Sequence, residues 1–83
     1  MEAKKKMKLT EAIGKRVDTL LKERQMIPSD LANKGGIPRS TISVIRAAKR
    51  DTVKIATVYD ICATLEISLK DFFDDEMFNL IDD

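Results

Sequence analysis

One stretch constrains the fold of this chain more than any other, because it places a glycine pair between two short segments with helical spacing. It spans residues 28–47 and reads PSDLANKGGIPRSTISVIRA. Pro28 suits the first turn of a helix, where its missing N–H leaves no hydrogen bond unmade. Gly35 and Gly36 then end that helix, since glycine reaches left-handed backbone angles at little cost.

A second helix follows the glycine turn and opens at Pro38 or Arg39. Its core-facing positions, together with one residue of the turn, are Ile37, Ile42 and Ile45. Ala32 is small, as it must be where the second helix crosses the first. Two short helices joined by a tight turn predict a helix-turn-helix, although a helical hairpin that merely packs is the alternative. The positions left outside on the second helix are Arg39, Ser40, Ser43, Val44 and Ala47.

The rest of the chain also carries apolar residues at helical spacing, and no alternating pattern typical of a strand. Leu9–Met26 predicts a first helix, with Thr10 as its cap. Val53–Leu65 predicts a fourth, whose buried stripe would be Ile55, Val58, Ile61, Cys62 and Leu65. Ser68 and Asp71 match a capped start of a last helix that includes Phe72, Phe73 and Met77. The predicted fold class is all-α, with five short helices in one domain of 83 residues.

The composition excludes several classes of function. The chain has no histidine and one cysteine, Cys62, so we expect neither an internal disulfide nor a histidine–cysteine metal site nor a histidine-activated nucleophile. We expect no enzyme, no cofactor and no small-molecule ligand, and Cys62 reads as a buried structural thiol. The sequence also shows no signal peptide and no apolar run long enough for a membrane span, which predicts a cytoplasmic protein with no membrane partner.

The charges are segregated along the chain. Residues 1–54 hold 14 basic and 6 acidic side chains, a net charge of +8, whereas residues 55–83 hold 1 basic and 8 acidic ones, a net charge of −7. The two segments add to the net charge of +1 for the whole chain. A basic front half suits a polyanionic partner on one face, and a solvated surface with segregated charges is the alternative.

With these features in place, the stretch LANKGGIPRSTISVI and the later run ATLEISLKDFF resemble the Cro/repressor-type (XRE-like, lambda-repressor-like) helix-turn-helix family over about residues 13–73. The resemblance implies a compact five-helix lambda-repressor-like domain whose third helix, at about 39–47, lies in the DNA major groove. Ile27 stands in place of the usual Ser or Thr cap, and Pro28 in place of a polar residue. After the third helix, Ala47-Ala48 replaces the usual polar residue and glycine, and Glu66 replaces a frequent glycine at the end of the fourth helix. Gly35 stands where an apolar residue is common, which predicts a loose end of the second helix.

The same resemblance assigns roles to individual side chains. The expected base-reading residues are Arg39, Ser40, Ser43 and Val44. The expected phosphate contacts are Ser29, Thr41, Arg46, Lys49 and Arg50. Two alternatives stay open at this point: Arg39 contacts a phosphate or solvent instead of a base, and Arg46 pairs with an acid inside the protein.

The sequence thus predicts a sequence-specific double-stranded DNA-binding transcriptional regulator, with a repressor favoured and a homodimer as its expected form. The alternative is a protein-interaction adaptor or antitoxin-like module that keeps the fold without specific DNA reading. The predicted organisation is a basic N-terminal arm at 1–8, the DNA-binding domain at 9–74, and an acidic and apolar tail or dimer contact at 75–83. The apolar patch expected for that contact consists of Met77, Phe78, Leu80 and Ile81.

Overall fold

The computed structural model describes residues 7–82, so most of the predicted basic arm lies outside the described residues. Within that range there are five α-helices, one short 3₁₀ helix near the C-terminus and a single isolated β-bridge. The α-helices are α1 Leu9–Glu23, α2 Pro28–Gly35, α3 Arg39–Ala47, α4 Ile55–Leu65 and α5 Leu69–Phe72, and the 3₁₀ helix is Glu76–Asn79. The predicted all-α, five-helix fold class is confirmed.

The start and the end of α1 differ from the prediction. Lys8, not Thr10, occupies the N-cap position, and its backbone N–H donates to the Glu11 carboxylate at 3.0 Å. Thr10 is buried inside the first turn. The helix ends at Glu23 rather than at residue 26, because Gln25 takes a left-handed conformation with φ of 55°. By contrast, the predicted cap at Ser68 is present, since its hydroxyl accepts the N–H of Asp71 at 3.0 Å.

The core is a single aliphatic cluster built from α1, α2, α3 and α4 and closed by Phe72 of α5. Its buried members are Ile13, Val17, Leu20, Leu21, Leu31, Ile37, Ile42, Ile45, Val58, Ile61, Cys62, Leu65 and Phe72. The prediction for Ile55 was wrong: this side chain is 61% exposed. It is the first residue of α4 and points roughly 70° away from the centre of the buried stripe, because successive residues turn about 100° around a helix.

Two glycines set how closely the helices approach. A Cβ on Gly14 of α1 would lie 2.6 Å from the carbonyl oxygen of Ile45 and 3.0 Å from that of Arg46, so α3 rests directly on the α1 backbone. Gly35, at the end of α2, lies against the side chain of Thr64 in α4. This contact corrects the expectation of a loose end of α2.

Arginine side chains join α1 to the C-terminal half. Arg16 donates from Nε to the Phe72 carbonyl at 2.7 Å and from Nη2 to the Asp71 carbonyl at 2.8 Å, and its Nη1 lies 3.4 Å from the Asp75 carboxylate. Arg24 donates from Nε to the Leu65 carbonyl at 3.2 Å. Each guanidinium thus binds carbonyls at a helix C-terminus, where a positive charge is favoured by the helix dipole.

Cys62 lies in the interior of the fold and is 1% exposed. Burial raises the pKa of its thiol, and the positive charge of Arg16 partly opposes that rise. A thiol that is both buried and protonated is unreactive, which agrees with the expectation of a structural cysteine.

The two ends of the described chain meet. The Met7 N–H donates to the Leu80 carbonyl at 3.0 Å, and the Asp82 N–H donates to the Met7 carbonyl at 2.8 Å. Phe78 stacks edge-on against Phe73 with ring centroids 5.0 Å apart. As a result, the apolar patch predicted as a dimer contact is half-buried in the protein itself. The boundaries at 8/9 and 74/75 stay predictions.

We expect Gly14→Ala to destabilise the protein by about 1–3 kcal/mol, since the added methyl must push back two backbone carbonyls. This expected net loss already includes the gain of about 1 kcal/mol that alanine has over glycine inside a helix. Urea unfolding followed by circular dichroism measures the change. Lys15→Ala, at the neighbouring exposed position, is the control and should stay within about 0.5 kcal/mol of the parent. A neutral or stabilising Gly14→Ala would contradict the close contact.

We expect Glu66→Gly to stabilise the protein by about 0.5–1 kcal/mol. Glu66 caps the end of α4 in a left-handed conformation with φ of 60°, which costs a residue with a Cβ about 1–2 kcal/mol and costs glycine little. Part of the gain is offset by the greater freedom of glycine in the unfolded chain. The matched control is Ala63→Gly, inside the same helix, which should destabilise by about 1 kcal/mol. Both changes in the free energy of unfolding are measured from urea midpoints. If Glu66→Gly destabilised the protein as Ala63→Gly does, the left-handed cap would be refuted.

Candidate nucleic-acid interface

The helix-turn-helix is formed by α2 and α3. Gly36 follows α2 in the left-handed conformation, with φ of 70°, and its N–H donates to the Ala32 carbonyl at 3.1 Å. The Ile37 N–H then donates to the Leu31 carbonyl at 3.4 Å, which closes the turn. Leu31 and Ile37 are buried, so both sides of the turn are held by the core. The predicted motif is therefore present, with its helices at the predicted positions.

The side chains of α3 divide into an inner and an outer face. Ile42 and Ile45 are buried on the inner face. Arg39, Ser40 and Ser43 are exposed, while Thr41 and Val44 are half-buried along the edges of the helix. This division follows from the 3.6-residue period, which places residues three apart on nearly the same side of the helix.

Arg39 is held by two side chains of α2. Its Nη1 donates to the Ser29 hydroxyl at 2.8 Å, and its Nη2 donates to the Asn33 side-chain oxygen at 3.1 Å. Ser29 and Asn33 are four residues apart and so lie on one side of α2. A guanidinium carries five N–H groups, so three remain for another partner.

Sequence reasoning missed Asn33 altogether. The spacing of Ser29 and Asn33 marks two polar side chains on one side of α2, and this signal was available in the sequence. The sequence did not show that both side chains would bind Arg39, because that contact depends on the angle at which α3 crosses α2.

Arg46 pairs with an acid inside the protein, which was one of the two alternatives left open for it. Its Nε lies 2.6 Å from the Asp18 carboxylate of α1, and both side chains are about 40% exposed. A charge-assisted hydrogen bond of this length fixes the guanidinium and reduces its net charge at the surface. A phosphate contact by Arg46 stays a prediction.

The predicted contact residues fall on both sides of α3, which forms a ridge between two open depressions. The larger depression, with a volume of about 410 Å³, brings together Ser40, Thr41, Val44 and Arg50 with the segment 52–54 and Thr57. The smaller one, of about 180 Å³, brings together Ser29, Arg39, Ser43 and Arg46 with Pro28 and Ile42. Eight of the nine predicted contact residues line one depression or the other, and Lys49 lines neither.

The backbone after α3 keeps a tight turn without glycine. Ala48 adopts a left-handed conformation with φ of 53°, and its N–H donates to the Ile45 carbonyl at 3.2 Å. The Lys49 N–H donates to the Val44 carbonyl at 3.1 Å, which closes the helix end. The exposed side chains of Lys49 and Arg50 follow directly and have no ion pair with any residue of the described range 7–82. They therefore place two unpaired cations beside α3.

Other kinds of site find no support among residues 7–82. No helix there is long and apolar enough to cross a membrane. No group of three or more acidic or cysteine side chains in the same range is arranged to hold a metal ion.

Comparison with known proteins agrees with this geometry. Several solved structures are similar to this chain. Prophage Lp1 protein 11 matches with a TM-score of 0.78 and 27% identity, over 88% of this chain and 97% of that one. The restriction-modification controller protein C.Esp1396I, crystallised as a tetramer in complex with its natural 35 base-pair operator, matches with a TM-score of 0.74 and 27% identity, over 86% of this chain and 91% of that one. No curated protein matches the sequence significantly. A family model described as the Cro/C1-type HTH DNA-binding domain matches residues 16–77. The chain therefore belongs to the Cro/C1-type helix-turn-helix DNA-binding family.

Proposed function

We propose that this DNA-binding regulator is sequence-specific, that it reads the major groove of double-stranded DNA with α3, and that it acts as a repressor. The observation that carries the proposal is the Arg39 guanidinium at the first position of α3, held by Ser29 and Asn33 of α2 at 2.8 and 3.1 Å. An arginine fixed at the exposed N-terminal end of α3 is suited to recognise one base.

Arg39 is the first candidate for base reading because its planar fork fits the O6 and N7 acceptors of guanine. A free arginine side chain loses about 2 kcal/mol of rotamer entropy when it is immobilised. Here part of that rotamer entropy is already lost in the unbound protein, because two N–H groups of Arg39 donate to side chains of α2. Binding to DNA would therefore cost less entropy at this side chain. Ser40 and Ser43 are exposed beside it and can donate to bases, and half-buried Val44 can contact a thymine methyl group.

The phosphate contacts are proposed for residues that flank α3. Lys49 and Arg50 supply two cations at its C-terminal end, and Thr41 faces the same depression as Arg50. Ser29 lies in the first turn of α2, where backbone N–H groups favour an anion. Asp30 in that turn accepts the Ile27 N–H at 3.0 Å, so part of this capacity is already used.

A repressor acts by occupying an operator, and the DNA-reading surface alone is enough for that. The similar controller protein C.Esp1396I, crystallised with its natural operator, supports an operator as the target here.

A second candidate function is favoured by one observation: the predicted contact cation Arg46 is already paired with Asp18 of α1. An adaptor that keeps the fold but binds another protein would have no need of this side chain at a DNA surface. The two functions differ in salt dependence, since each phosphate contact lowers the slope of log K against log salt concentration by about 0.9.

We expect selection from a random duplex pool to recover a defined motif, and Arg39→Ala to relax the preference at one guanine. The expected loss is about 1–3 kcal/mol, or roughly 10- to 100-fold in affinity for the selected site. Lys49→Ala is the matched control: it should weaken all duplexes alike and reduce the salt slope by about one contact. Weak recovery without a motif, equal for parent and Arg39→Ala, would exclude sequence reading and favour the adaptor.

We also expect Asn33→Ala to weaken binding to the selected duplex about 3- to 10-fold while leaving the salt slope unchanged, because it frees Arg39 without removing a charge. In the double variant with Arg39→Ala, the effect of Asn33→Ala should vanish, which a double-mutant cycle measures by fluorescence anisotropy. Asn33→Asp keeps the acceptor and should retain the base preference at the guanine. Additive losses would show that Asn33 acts independently of Arg39.

A further inference from the structure

Asp18 of α1 binds the guanidinium of Arg46 at one atom and leaves the rest of it open. The Arg46 Nε donates to the Asp18 Oδ1 at 2.6 Å. A guanidinium carries five N–H groups, one on Nε and the others on the two Nη atoms. The Nη atoms of Arg46 make no hydrogen bond with any residue of the described range 7–82. The pairing therefore fixes this side chain without using the N–H groups at the end of the fork.

The position of Asp18 follows from the close contact between α1 and α3. Gly14 lies against the carbonyl oxygens of Ile45 and Arg46. Asp18 is four residues further along α1, so it lies one turn away on the same side of the helix. The backbone of Arg46 is thus held at Gly14 and its side chain at Asp18, which fixes both parts of this residue relative to α1.

Arg46 borders the smaller depression beside α3, together with other groups that donate to oxyanions. Arg39, Ser29 and Ser43 border the same depression. The other described residues that line it are apolar, so none of them is acidic. Two guanidinium groups and two hydroxyl groups around a volume of about 180 Å³ form a surface suited to a phosphate group.

We propose that Asp18 is a positioning residue for DNA binding: it orients Arg46 so that the two Nη atoms bind one phosphate of the DNA backbone at the smaller depression. The proposal rests on the proposed function and extends it, because it gives a side chain of α1, outside the helix-turn-helix, control over a phosphate contact. Asp18 itself touches no DNA in this arrangement.

The shape of the guanidinium explains how an acid can assist this contact. Arginine binds a phosphate through two N–H groups of a rigid planar fork. A carboxylate placed across both Nη atoms would occupy that fork, whereas Asp18 binds at Nε and leaves the two Nη atoms open. An arginine that is already immobilised also loses less rotamer entropy when it binds a partner.

The charge of Asp18 predicts the opposite effect on DNA binding. A carboxylate beside a DNA surface repels phosphates, so on charge alone its removal tightens binding. The fold does not depend on the pair, because both side chains are about 40% exposed and exposed ion pairs contribute little to stability. The burial of Ile42 and Ile45 holds α3 in place without it. Positioning and simple repulsion therefore differ in the sign of a measurable effect.

Asp18→Ala and Asp18→Asn separate the two effects, because both remove the same charge and only asparagine keeps a side-chain oxygen that accepts from Nε. We expect Asp18→Ala to weaken binding to the selected duplex about 3- to 10-fold and to reduce the salt slope by about one contact. Asp18→Asn should bind like the parent or slightly more tightly. Fluorescence anisotropy over a range of salt concentrations measures both quantities, and circular dichroism in urea shows that each variant keeps the parent fold.

The same measurement in the Arg46→Ala background tests whether Asp18 acts through Arg46. There Asp18→Ala should have no further effect, since the side chain that it positions is gone. Asp60→Ala is the control for the loss of one acid, because Asp60 is exposed on α4 and has no ion pair within residues 7–82, and it should not weaken binding. Equal effects of Asp18→Ala and Asp18→Asn, or a loss that persists without Arg46, would overturn the positioning role.

The outcome also separates this role from the proposed function. A phosphate contact carries no sequence information, so the two Asp18 variants can be compared on a duplex of random sequence as well. If the protein selects no motif but Asp18→Ala binds duplexes more weakly than Asp18→Asn, sequence reading is refuted and the role of Asp18 is retained. If a motif is selected and the two variants bind equally, the role of Asp18 is refuted and sequence reading stands. A parent that binds no duplex would refute both.

Discussion

The contact between α1 and α3 at Gly14 governs the placement of α3. Only a residue without a Cβ lets the carbonyls of Ile45 and Arg46 come so close to α1. The Arg46–Asp18 pair then joins the same two helices at their surface, 2.6 Å between nitrogen and oxygen. The close approach fixes where α3 lies against α1, and the burial of Ile42 and Ile45 in the core leaves Arg39, Ser40 and Ser43 on the outward face of α3.

The arginines of the protein divide into those used by the fold and those available to a partner. Arg16 and Arg24 bind carbonyls at the ends of α5 and α4, and Arg46 binds Asp18. Arg50 is exposed beside α3 without an ion pair among residues 7–82. Arg39 belongs partly to both groups. Its guanidinium donates to the neutral side chains of Ser29 and Asn33 on α2, and these leave its positive charge unpaired. Only part of the net positive charge of residues 1–54 is therefore available on the surface of α3.

Much of the fold was predictable because its signals are local. The glycine turn at Gly36 and the serine cap at Ser68 depend on backbone angles and on hydrogen bonds between near neighbours. The predictions that were wrong concern ends and edges. Ile55 lies three residues before Val58 of the buried stripe but at the first position of α4, where no helix of residues 7–82 covers it. The prediction of Thr10 as the cap of α1 was also wrong. Lys8 is the N-cap residue, and the Glu11 carboxylate accepts its backbone N–H.

The sequence by itself determined the five helices, the turn between α2 and α3, and which residues of α3 face outward, since these depend on periodicity and on the conformational limits of glycine and proline. Only the tertiary structure decided how those outward residues are engaged. The acceptors of Arg39 on α2, the pairing of Arg46 with Asp18 and the exposure of Ile55 on α4 all depend on how helices cross. Crossing angles are set by side chains far apart in the chain, and no local pattern encodes them.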